Sequence, residues 1–176
     1  MSSRFRATAV TGLVGTTAAL VALLVPGTAQ AAPAKLGHAE AVSRLNATGG
    51  IGLSSSGGCS NRNNPTCTSL EQVNAATISD VTTLRRASAC SLTITGGTET
   101  GHASGTYSHW NGYKVDFSPT SCVSGYITRS FTRIADRGDG AARWRSAAGN
   151  VYAREGNHWD VTFCGGSAAC TASASS

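Results

Sequence analysis

Two short patterns place metal-ligating and acid–base side chains at fixed spacing: His109-x-x-Gly112-x-x-x-Asp116, and further along the chain Glu155-x-x-His158. Hydrolysis at a bound zinc needs three nitrogen or oxygen ligands that leave one position open for water. It also needs a carboxylate, itself not a ligand, that can take the water's proton. His109, Asp116 and His158 fit the ligand roles and Glu155 fits the base. Each has a plainer reading: a loop histidine, a solvated strand carboxylate, a Glu155 paired with Arg154. Taken together, a carboxylate on the presumed face of two histidines is better explained by a cation. His102, in Gly101-His102-Ala103-Ser104-Gly105, either lines the substrate cleft or is solvated. Asp160 is a further ligand or a partner for a ligating imidazole, since such rings usually give their second N–H to a carboxylate or carbonyl.

These side chains need rigid elements beneath them. Tyr113 to Phe117 alternates, which puts Tyr113, Val115 and Phe117 on one face and Lys114 and Asp116 on the other. His158 to Phe163 alternates likewise, sending Trp159, Val161 and Phe163 to the core and leaving His158 and Asp160 on the polar side. Gly112 permits the tight turn between His109 and Asp116. Ser91 to Thr95 reads as a strand stopped by Gly96-Gly97, and Ala141 to Ser146 with Asn150 to Arg154 reads as a hairpin after an Asp139-Gly140 turn. Thr68-Ser69-Leu70-Glu71 reads as a capping box opening a helix through Val73, Thr77, Val81 and Leu84. Val123, Ile127 and Ile134 suggest another helix, and His38 to Leu45 a short one. Thr48 to Pro65 reads as loop.

The set His-x-x-Gly-x-x-x-Asp followed by Glu-x-x-His, on this framework, resembles the zinc D-Ala-D-Ala peptidases, relatives of the vancomycin-resistance dipeptidases and of phage endolysins. The likeness spans roughly Thr68 to Phe163. It implies an α+β domain with a small, mostly antiparallel sheet backed by helices, like the hedgehog and D-Ala-D-Ala peptidase fold. It further implies Zn2+ held by His109, Asp116 and His158, Glu155 as base, and peptidoglycan stem peptides as substrate. The sequence departs from the family's pattern at Tyr107, where a serine is expected, and at Lys114, where a small residue is. It also has Thr95-Gly96-Gly97-Thr98-Glu99 where a substrate-polarising arginine is expected, with Arg62, Arg85, Arg154 or His102 as replacements. An alternative is a non-catalytic zinc-containing module for wall binding or signalling.

Composition sets the context. Arg4 and Arg6 precede an uncharged stretch to Gln30, most apolar from Ala18 to Val25 and ending in Ala29-Gln30-Ala31, the order of a secretory signal peptide cleaved after Ala31. Residues 32–67 then form a Gly/Ser/Asn-rich segment, 68–165 the peptidase-like domain, and 166–176 a flexible tail. The chain carries 14 Lys+Arg against 9 Asp+Glu, scattered without a basic stripe. This argues against a nucleic-acid partner while allowing attraction to anionic wall polymers. An exported chain that is not an integral membrane protein and is monomeric by default is expected. All six cysteines follow the leader, and an even count in an exported chain suggests disulfides. Short loop closure favours Cys59–Cys67 and Cys164–Cys170, leaving Cys90–Cys122.

Overall fold

The computed structural model describes residues 32–176, so the expected signal peptide lies outside the described residues. The fold is α+β. Strands β2 (Ile51–Leu53), β4 (Leu92–Gly96), β5 (Lys114–Phe117), β6 (Thr132–Ile134), β7 (Ala142–Arg145), β8 (Val151–Glu155) and β9 (His158–Thr162) form a seven-stranded sheet in the order β2-β4-β5-β9-β8-β7-β6. Every pairing in it is antiparallel except β2 with β4. The short strands β1 (Lys35–Leu36) and β3 (Val73–Asn74) pair separately.

Alternation decides which face of the sheet is wet. Val115, Phe117, Tyr152, Trp159 and Val161 point to one side and are buried, together with Val81 and Leu84 of helix α2 (Ala75–Ser88) and Val123 and Ile127 of α3 (Ser121–Ser130). Burial of these side chains contributes about 1.5–3 kcal/mol each. Residues paired across antiparallel strands share a face. The opposite face therefore carries a row running Gly96, Asp116, Asp160, Ala153, Arg143 across β4, β5, β9, β8 and β7. His158 and Glu155, paired at the end of the β8–β9 hairpin, stand two positions along on that same face.

Several expectations change. Thr68-Ser69-Leu70-Glu71 does not open a helix: α2 begins after Asn74, and Gln72 takes a positive φ of 63°. Glu71 instead receives the His38 amide at 2.8 Å, capping α1 (His38–Thr48), whose own N-cap Gly37 offers no side chain. Thr68 Oγ1 donates to the carbonyls of Ser54 and Thr95, tying the β2 and β4 ends together. The stretch expected to be loop from Thr48 to Pro65 contains β2, too short at three residues for its period to show. Ile134 belongs to β6 rather than to the helix of Val123 and Ile127.

Residues Ala168–Ser175, expected to be flexible, form helix α4, capped by Ser167. Buried Arg143 holds it by donating to the carbonyls of Ala174, Ser175 and Ser176 as well as Ala135 and Asp136. All three disulfides form as loop closure suggests: Cys59–Cys67, Cys90–Cys122 and Cys164–Cys170, with no free cysteine. That content suits an oxidising, extracellular setting. Among the described residues, no helix is long and apolar enough to cross a membrane.

Candidate metal centre

Asp116 stands at the middle of the polar face and is buried, 6 % exposed; its Oδ1, like Asp160 Oδ1, is fully enclosed with no well-formed hydrogen bond, its nearest donor being His109 Nε2. A buried carboxylate oxygen left so costs several kcal/mol unless a cation compensates it. The neighbours are imidazoles. His109 Nε2 lies 3.4 Å and His158 Nε2 3.9 Å from Oδ1, and His102 Nδ1 lies 3.9 Å from Oδ2. Ligand atoms on one tetrahedral zinc at 2.0–2.1 Å are roughly 3.3 Å apart, so this spacing fits a metal with small adjustment. Among the described residues, His102, His109 and Asp116 have ligand atoms all within 4.8 Å of one another and could hold a metal ion, while His158, expected from sequence as the third ligand, approaches Asp116 but lies outside that group.

Local backbone aims each of these groups. Gly112 adopts φ +76° at the turn after His109, and a Cβ there would sit 2.6 Å from the Gln72 carbonyl oxygen. Only glycine fits that close approach. The Gly112 amide closes the turn on the His109 carbonyl. His109 Nδ1 lies 2.7 Å from the Gly97 carbonyl oxygen; donation there leaves Nε2 free to face Asp116 and Asp160. Gly96, opposite Asp116, leaves room for the carboxylate against the strand.

Asp160 is the second buried carboxylate. Its Oδ1 lies 3.6 Å from His109 Nε2, and its Oδ2 accepts from Lys114 at 2.8 Å and Arg137 at 3.0 Å. Burial pushes its pKa up, but His109 and Lys114 outweigh burial and hold it well below the usual carboxylate range. Burial likewise works against a charged His109, yet hydrogen bonding and attraction from Asp116 and Asp160 prevail and raise its pKa to about 9.

The hairpin end presents Glu155 and His158 side by side, with Glu155 Oε2 3.4 Å from His158 Nε2. The other oxygen of Glu155 accepts from Arg137, whose guanidinium also donates to Asp160 and to both oxygens of Asp139. A cleft of about 490 Å³ joins these groups, lined by His102, His109, Asp116, Arg137, Glu155 and His158 among others.

Arg137 is the site residue that sequence reasoning missed. It sits between β6 and β7, separated by 18 residues from Glu155 and 23 from Asp160, and only the sheet order brings it into the cleft. The arginines weighed from sequence lie elsewhere: Arg62 stacks 3.6 Å over the Trp110 ring, Arg85 lies against Gly50, and Arg154 donates to backbone carbonyls of Glu155 and His158. Trp110 is exposed beneath Arg62, and Trp159 is core. Buried Glu99 was also missed. It accepts from the amides of Ser69 and Gly97 and faces His102 Nε2 at 3.2 Å. No protein-family model, curated protein or solved structure matches this chain.

Proposed function

We propose that this is a secreted zinc metallopeptidase acting on peptidoglycan stem peptides, as a D-Ala-D-Ala carboxypeptidase or an endopeptidase. The observation that carries the reading is the partnerless, buried Asp116 oxygen flanked by His109 and His158, with Glu155 beside His158 on the same face. His109, Asp116 and His158 would hold the ion. When bound, zinc supplies Lewis acidity that lowers the pKa of a coordinated water and polarises a carbonyl. Glu155 would take a proton from the attacking water and pass it to the leaving amine. Arg137, held by Asp139, Glu155 and Asp160 at the cleft, would bind a carboxylate or carbonyl of the peptide, the part for which the sequence shows no arginine in the expected place. The cleft has a volume of about 490 Å³, and the disulfides and N-terminal leader sequence agree with work outside the cell.

A second reading has one observation behind it. The Arg137 guanidinium occupies one oxygen of Glu155, the carboxylate cast as the base, which suits a wall-binding or signalling module that keeps zinc for structure.

The test is zinc content and cleavage on one preparation. One zinc per chain, lost in His109→Ala and in His158→Ala, with release of soluble product from purified peptidoglycan, is expected of the enzyme. Glu155→Gln should keep the zinc and lose at least about 100-fold in rate. Full activity in Glu155→Gln refutes the mechanism, and zinc with wall binding but no product supports the second reading.

A further inference from the structure

Three features beyond the proposed machinery are worth testing against the chemistry they could do. The exposed Trp110 beneath Arg62 is a single aromatic with nothing to indicate what covers it. The smaller cavity beside α4 includes Arg143, but that guanidinium is fully engaged by backbone carbonyls. The third feature is His102 with Glu99, and here the contacts point one way.

His102 has two ring nitrogens, and each has a different neighbour. Nε2 faces Glu99 Oε1 at 3.2 Å, and Nδ1 faces Asp116 Oδ2 at 3.9 Å. Glu99 is 3 % exposed and anchored by two backbone amides, Ser69 at 2.7 Å and Gly97 at 2.9 Å, so its remaining capacity is directed at His102. Donation of Nε2–H to Glu99 leaves an Nδ1 lone pair pointing at the metal site. A carboxylate that fixes the tautomer of an imidazole aimed at an acidic centre is the arrangement found behind metal-ligating histidines. The His102 ring also stacks on His109, with centroids 3.8 Å apart and planes 13° apart, which brings two ligand nitrogens to the same carboxylate. A solvated loop histidine needs neither a buried anchor nor this stacking.

We propose that His102, oriented by Glu99, is an additional metal ligand, so that the ion is held by His102, His109, Asp116 and His158 with Asp116 at the hub. This rests on the metal-site reading above and extends it. Four protein ligands would close a tetrahedral shell of the structural kind, so catalysis at this site would need one ligand to yield its place to water or the shell to expand to five.

The experiment measures zinc affinity of the purified protein by competition with a chromogenic chelator, together with the visible absorption of the Co2+-loaded protein. His102→Phe keeps the ring stacked on His109 but has no ligand nitrogen, and Glu99→Gln keeps the size of the buried anchor but removes its charge. The expected result is a loss beyond about 100-fold in His102→Phe and about 10–100-fold in Glu99→Gln, with an altered Co2+ spectrum in both. Zinc bound by the wild type but affinity within about threefold and an unchanged Co2+ spectrum in His102→Phe would overturn this inference alone. No zinc bound by the wild type would overturn it together with the metal-site reading.

Discussion

Gly96→Ala tests the placement of Asp116 without touching a ligand. A Cβ at Gly96 would lie 3.0 Å from the Asp116 carboxyl carbon and 3.2 Å from its Cβ, and closer still to Oδ2, against the 3.4–4 Å of ordinary contact. Gly96 has no positive φ, so alanine is compatible with the strand and by itself costs the backbone nothing. The strain falls on the carboxylate, which must retreat by about 1 Å, whereas metal–ligand distances tolerate about 0.2 Å. Overpacking of this size costs about 1–3 kcal/mol. Taken from the bound state, that is a loss of roughly 10–100-fold in zinc affinity at 1.4 kcal/mol per factor of ten. Chelator competition reads the affinity, and the melting temperature of the chelator-treated protein checks that the sheet is intact. A Gly96→Ala protein that folds normally and binds zinc within about twofold of wild type would refute Asp116 as a ligand in this position.

Two further predictions concern charge and packing. His109 in the folded, metal-free protein titrates at about 9, above its ordinary 6.5, so its ion pairs stabilise fully below pH 6.5 and are lost as pH rises through 9. The melting temperature of chelator-treated protein should therefore fall across that window, and zinc-loaded protein should show a shallower fall; a flat metal-free profile would contradict the raised value. Arg143→Ala should free α4 by stranding the carbonyls of Ala174, Ser175 and Ser176. A loss of about 2–3 kcal/mol and proteolysis beyond Ser167 are expected, and unchanged hydrogen-exchange protection of residues 168–175 would argue against the clamp.

The parts of this molecule legible from sequence are those with a period or a short closure. The two-residue alternation in Lys114–Phe117 and His158–Thr162 assigns Asp116, His158 and Asp160 to one face before any pairing is known, and register then sets Asp116 beside Asp160. The disulfides follow the same logic, two of them closing loops of only 8 and 6 residues in sequence separation. What stayed hidden depends on three-dimensional neighbours. Glu71 has the spacing of a capping box yet caps α1, 33 residues upstream, because the chain at Gln72 turns away from helix. The small, polar composition after Gly165 suggests disorder, and it takes buried Arg143 from β7 to make a helix of it. Arg137 and Glu99 belong to no motif; each matters through a partner delivered by the sheet.

The charges in the cleft favour Asp116 as the place for a cation, although Asp160 Oδ1 beside it is also enclosed without a hydrogen bond. Glu99 is satisfied by two amides, Glu155 by Arg137, and Asp160 by Lys114 and Arg137. Asp116 has no such donor, and the fixed cations are already committed to its neighbours. His109 lies nearer to Asp116 than His102 or His158, and the Asp116 and Asp160 carboxylates together raise the pKa of that imidazole above the ordinary range. A divalent ion bound there would displace the imidazole proton and deliver more charge to the same carboxylate, which would link folding, His109 protonation and metal uptake. The same arrangement keeps Arg137 off Asp116. It leaves the guanidinium bridging Asp139, Glu155 and Asp160.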